Sequence, residues 1–211
     1  MKCPLIKDAR AQSLKVSSRG LEECQMIPVG PWVLSQKALL QRMAIWRESA
    51  SESFFARFPS SVDSTSDYIT RYSLALPDRI LFLLESRGAF VGHVGLSNMV
   101  GDSAEIDNVI RGEPVYSPSF MADSLRTMVR WATSAHGVKR FRLRVLSNNL
   151  RAIDLYESLG FRLVKSEPLT VQRVSAGGIH LVPCTSREAT IPEKSNLMEY
   201  IPPESLGGQI D

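Results

Sequence analysis

A phenol, two carboxylates and a histidine are the side chains whose spacing best suits them to move a proton. Tyr156 follows Asn149 by seven residues, near two helical turns, so both would share one side of a helix carrying them. The small Ala152 between them leaves that side open to close approach. A phenol is a weak acid that can hydrogen-bond to an atom on which negative charge develops. Glu105 and Asp107 stand two apart in a strand-like run and so share a face, where either can take a proton or hold a cation. His93, set between apolar residues after Gly92, reads first as a satisfied core histidine and second as a base.

These groups depend on a scaffold that the pattern also outlines. Asn148 or Asn149 can cap a helix over 149–161, which Gly160 stops in a left-handed conformation, with Phe161 packing in the core. Alternation at Phe141, Leu143 and Val145 predicts a half-exposed strand over 140–145. The strongest helical pattern runs over 119–135, with Pro118 at its start and Gly137 beyond its last turn. Strands are expected at 80–84, 89–96 and 104–110, with turns at Ser86-Arg87-Gly88 and Gly101-Asp102.

Upstream lie a strand over 24–29 and a helix over 35–46 carrying Leu39, Leu40, Met43 and Trp46. A second helix is expected to begin at Ser64 or Thr65 and to end at Pro77. Downstream, strands are expected at 162–174, 179–182 and 197–201. This order predicts an α/β (α+β) fold, a mixed sheet covered by helices.

The 211 residues suit one well-buried domain with an extension, and 44% apolar with 22% charged residues is ordinary for a globular chain. A net charge of +3 without a Lys/Arg stripe argues against nucleic acid, and no apolar run approaches a bilayer span. The first ten residues do not read as a signal peptide. Cys3, Cys24 and Cys184 are odd in number and far apart, so isolated reduced thiols in a cytoplasmic protein are expected, with no metal site.

The run Asn149-Leu-Arg-Ala152-Ile-Asp-Leu-Tyr156-Glu-Ser-Leu-Gly160-Phe161 resembles the last helix of the GCN5-related N-acetyltransferase (GNAT) superfamily, which moves an acetyl group from coenzyme A to an amine. The resemblance covers about 26–201. It implies a GNAT-like, mostly antiparallel sheet of six to seven strands flanked by about four helices. A single domain is expected over 21–203, with a tail or extension at 1–20 and a tail at 204–211.

In that family the strands expected at 104–110 and 140–145 splay, and acetyl-CoA enters the gap. The resemblance therefore implies that the backbone of Asn108, Val109 and Ile110 pairs with the cofactor arm, beside Asn149 and Ala152. Tyr156 would protonate the departing thiolate. Glu105 is the favoured base, with Asp107 as its alternative or as a cation-binding group. Relatives wrap the pyrophosphate with a glycine-rich loop, from which Arg111-Gly112-Glu113-Pro114-Val115-Tyr116-Ser117-Pro118-Ser119 departs. Glu113 adds negative charge, and Pro118 lacks an N–H. Hydroxyls of Ser117 and Ser119, with the amides of Ser119, Phe120 and Met121, are the substitute donors. Arg151 reads as a solvated helix charge or a nucleotide contact.

The implied activity is direct acetyl transfer to a primary amine of a small molecule. The stretch Glu105 to Gly112 faintly resembles amino-sugar acetylating members, which makes an amino sugar one such acceptor. Alternatives are a protein or peptide amine as acceptor, and a degenerate acyl-CoA-binding module on the same fold. A homodimer is a common default for such chains.

Overall fold

The computed structural model describes residues 12–17, 24–115, 117–174 and 177–203. Ten strands form one sheet: β1 Leu14–Lys15, β2 Cys24–Pro28, β3 Ala56–Arg57, β4 Ile80–Ser86, β5 Ala89–Val100, β6 Ser103–Arg111, β7 Arg140–Leu146, β8 Arg162–Arg173, β9 Ile179–Pro183 and β10 Ile191–Tyr200. Their spatial order is β1-β2-β4-β5-β6-β7-β10-β8-β9-β3. Every neighbouring pair is antiparallel except β6–β7, which is parallel. Four α-helices accompany it: α1 Lys37–Ser49, α2 Val62–Tyr68, α3 Phe120–His136 and α4 Leu150–Ser158.

The unbroken apolar run of β4 follows from its burial on both faces. Phe82 and Leu84 enter a core with Leu125, Met128 and Ala132 of α3, whereas Leu81 and Leu83 pack on the other side against Leu40, Met43 and Trp46 of α1. Burying such a side chain stabilises the fold by about 1.5–3 kcal/mol, so these two layers fix the sheet between the helices. The end of α3 is set by Gly137, at φ 69°, whose N–H donates to the Thr133 carbonyl.

Three expectations need correction. Among the described residues the sheet has ten strands, not the six to seven the resemblance implies: the eight outlined by pattern, and Leu14–Lys15 and Ala56–Arg57, which at two residues are too short to show a period. The second helix starts at Val62: Ser61 is its cap, accepting from the Ser64 N–H, so Ser64 closes a capping box instead of opening the helix. It continues through a wider turn over Ile69–Ser73. The last strand begins at Ile191, six residues before 197, because Glu193 and Lys194 mask its alternation. Within the expected tail at 1–20, Leu14 and Lys15 pair with β2; residues 1–11, 18–20 and the tail at 204–211 lie outside the described residues.

Candidate active site

The parallel pair β6–β7 holds for three rungs only: Ser103 with Arg140, Ala104 with Phe141 and Glu105 with Arg142. Beyond Glu105 the strands part. β7 goes on pairing with β10 up to Leu146, and β6 with β5 up to Arg111. The edge of Ile106–Arg111 that faces β7 is thus left without a strand partner among the described residues, a ready template for an extended amide-bearing ligand. A cleft of about 1190 Å³ opens in this wedge. Its lining includes Glu105, Asp107, Asn108, Val109, Ile110, Ser119, Met121, Asn149, Ala152 and Tyr156. Ser117 and Phe120 are buried, at 5% and 2% exposure, and lie outside that lining.

Tyr156 enters the wedge from α4. Its ring is 7% exposed and packs on Phe161, with ring centroids 6.0 Å apart. Gly160, at φ 96°, makes this packing possible by turning the chain back. The Gly160 and Phe161 amides then donate to the carbonyls of Glu157 and Tyr156. Burial pushes the phenol's pKa up, and the Asp107 charge adds to that, so Tyr156 is protonated at neutral pH. Its hydroxyl has no hydrogen-bond partner among the described residues. Asn149 caps α4 through its side-chain oxygen, which accepts the Ala152 N–H at 3.3 Å. The same residue lines the cleft, so capping and ligand contact are compatible.

The two carboxylates differ in position. Glu105 sits at the closed end of the wedge and accepts from Asn98 Nδ2 at 2.7 Å. Asp107 is two residues further along, beyond the split. Arg79 Nη1 lies 3.3 Å from its Oδ2, and its Oδ1 accepts the Asn108 N–H at 2.7 Å.

A bulge at Asn108 and Val109 shapes this stretch: His93 faces Ile110, yet Gly95 faces Asp107. Asn108 takes the left-handed φ of 51° that asparagine tolerates. The extra residue inverts the alternation, so Ile106 packs on the α3 side and Ile110 on the α1 side. His93, 5% exposed, holds the bulge by donating from Nδ1 to the Asn108 carbonyl at 2.7 Å. Burial lowers its pKa to about 4. The neutral ring therefore serves as a structural donor, the first of the two readings. Tyr68 completes the network, accepting from Asn108 Nδ2 at 2.7 Å. Its own pKa is raised to about 12 by burial and then by Asp107. Arg79 did not stand out in the sequence as a site residue, because its contact joins segments far apart in the chain.

Residues 31–162 match the family model for the acetyltransferase (GNAT) domain. The chain belongs to the GNAT acetyltransferase family. Solved structures agree in fold. A probable GNAT-family acetyltransferase from Chromobacterium violaceum superposes with a TM-score of 0.64 at 15% identity, covering 95% of this chain and 94% of its own. The Salmonella typhimurium acetyl transferase that modifies the N-terminal serine of ribosomal protein L7/L12 gives 0.63 at 11%, covering 90% and 99%. Spermidine N-acetyltransferase from Vibrio cholerae, solved with CoA and spermine, gives 0.60 at 16%, covering 87% and 98%. An uncharacterized protein of Methanocaldococcus jannaschii is 33% identical over 75 residues, a match spanning 36% of this chain and only 15% of that protein.

In this GNAT acetyltransferase the atypical loop is explained by packing. Glu113 turns toward α1, accepting from Trp46 Nε1 at 3.0 Å and from Arg42 Nη2 at 3.2 Å, which together hold its carboxyl below the usual range. The negative charge expected beside the phosphates is thereby engaged elsewhere. Gly112 makes room for the Trp46 ring, which a Cβ there would meet at 2.2 Å, and its N–H donates to the Val91 carbonyl. Ser117 and Ser119 hydroxyls lie 3.1 Å apart, and Ser119 Oγ donates to Asp123 at 2.7 Å. The Phe120 amide is likewise engaged, donating to the Ser117 carbonyl at 3.3 Å. Positive charge reaches the cleft from Arg111, Arg126 and Arg151, alongside the small Ala122 and Ala152. These residues suit an elongated anionic ligand. Among the described residues no helix is long and apolar enough to cross a membrane.

Proposed function

We propose that this enzyme transfers an acetyl group from acetyl-CoA directly to a primary amine of a small molecule, within the wedge between β6 and β7. The observation that carries the reading is the parting of the strands after Glu105 and Arg142, with the Tyr156 phenol at the opening. The free edge at Val109 and Ile110 would hold the cofactor's amide arm, and the start of α3, with Arg126 and Arg151, its phosphates.

Tyr156 and Asp107 reach the wedge from opposite faces of the sheet. Tyr156 belongs to the α3–α4 core, whereas Asp107 pairs with Arg79 and lies against Tyr68 of α2. The thioester then enters from one face and the amine from the other. Asp107 replaces Glu105 as the preferred acceptor of the amine's proton, because it lies past the split. Tyr156 places its O–H where negative charge develops on the departing sulfur. A small acceptor is favoured by a bridge across the amine side. There β3 pairs with β9, and the Leu181 N–H donates to the Phe55 carbonyl at 2.8 Å. Free Cys24 and Cys184 are consistent with a cytoplasmic setting.

The test is thiol release from acetyl-CoA across an amine panel, with product mass as a second readout. Wild type releases thiol in proportion to acetylated amine, and Asp107→Asn, which keeps the size and removes the charge, lowers kcat/KM about a hundredfold. Cofactor binding without release for any amine would instead favour the acyl-CoA-binding module.

A further inference from the structure

We propose that the amine accepted at this site also carries an oxyanion group, a carboxylate or a phosphate, which Arg144 binds; the inference rests on the acetyl-transfer reading above. The register of the wedge brings the two recognition groups together. Glu105 faces Arg142 on the last shared rung, so Asp107 and Arg144, each two residues on, stand level across the split. By the alternation of strand side chains they also share a face. It is the face of the amine side, because Leu146 of the same parity packs with Phe55 and Leu181, while Phe141, Leu143 and Val145 pack with α3.

Arg144 is held for this task and not used up by it. Nη1 donates to Glu167 Oε2 at 2.7 Å and to Ser195 Oγ at 3.1 Å. Ser195 is fully buried and, with Arg144, lines the cleft. Those two bonds take the hydrogens of one nitrogen, and the N–H groups on Nη2 and Nε have no partner among the described residues. A guanidinium anchored at one nitrogen offers the others in the planar fork that fits a carboxylate or phosphate.

The charge around it points the same way. Glu167 is shared, since Lys165 Nζ lies 2.7 Å from its other oxygen. Arg140 and Arg142 likewise share Glu199, at 3.6 and 2.8 Å. Arg140, Arg142, Arg144 and Lys165 thus share only two carboxylates, Glu199 and Glu167. A polyamine would bring further positive charge into this field, whereas a compound with one ammonium for Asp107 and one oxyanion for Arg144 matches both ends. Phe54, Phe55, Leu181 and Pro183 supply apolar walls around them.

Paired acceptors decide the matter. Steady-state acetylation is compared for amino acids against their amides, for glucosamine 6-phosphate against glucosamine, and for spermidine. The anionic member of at least one pair should have a kcat/KM at least tenfold higher, carried by KM, and the pair that shows it tells carboxylate from phosphate. Arg144→Gln should shrink that ratio below threefold, Arg144→Lys should keep part of it as a point charge, and Arg130→Gln, on the exposed side of α3 and outside the cleft, should leave it unchanged. Equal use of the uncharged members, better use of spermidine, or a full ratio in Arg144→Gln would overturn the inference. Acetyl-CoA protection against thermal unfolding is read in parallel. Its absence removes the acetyl-transfer reading itself, whereas protection with indifference to the oxyanion removes this inference alone.

Discussion

Tyr156→Phe is expected to lower kcat about a hundredfold while acetyl-CoA affinity changes less than twofold. The ring is what packs, against Phe161 and the α3–α4 core, and phenylalanine keeps it. The hydroxyl has no protein partner among the described residues, so its removal leaves no buried donor or acceptor stranded. What is lost is a hydrogen-bond donor facing the cleft, and with it stabilisation that matters only as charge builds on sulfur. Pre-steady-state acetyl transfer alongside cofactor titration separates the two quantities. Equal losses in kcat and affinity, or unchanged turnover, would assign Tyr156 to packing or to binding.

Acid is expected to weaken the fold through His93 by about 3 kcal/mol between pH 6.5 and pH 4. The folded pKa, about 4, lies below the ordinary value of 6.5, chiefly because the ring is buried. The unfolded chain therefore binds a proton first as the pH falls. The stability present above about 6.5 is lost progressively down to 4 and then stays level. Protonation of the folded form would place a charge beside Arg47, which itself lowers the histidine's pKa. His93→Gln cannot take up that proton. Its stability should fall less steeply with acid than that of wild type, by about 1 kcal/mol at pH 5.5. Parallel pH profiles for the two proteins would show that His93 titrates normally.

Much of the scaffold was legible because its helices and inner strands carry long periodic patterns, as in α3 with Phe120, Leu125, Met128 and Ala132. The α4 motif announced itself through a cap, a small residue, a phenol and a glycine at fixed spacing. What the sequence hid is the bulge at Asn108, since one inserted residue leaves no mark on composition while reversing every later side chain of β6. The split after Glu105, and the ion pair from Arg79, separate Asp107 from Glu105, which look equivalent as a two-residue repeat. The purpose of Gly112 and Glu113 was equally hidden, because Trp46 and Arg42, far upstream, define it. Arg144 reads as one of three alternating arginines until β8 and β10 bring Glu167 and Ser195 to it.

The wedge itself is tested most directly by amide hydrogen exchange with and without acetyl-CoA. Protection is expected to appear at Val109 and Ile110, whose strand edge has no partner on the β7 side, and at the first turns of α3 and α4, while β2 and β4 exchange as before. Protection confined to other surfaces, with Val109 and Ile110 unchanged, would place the cofactor elsewhere and contradict the account.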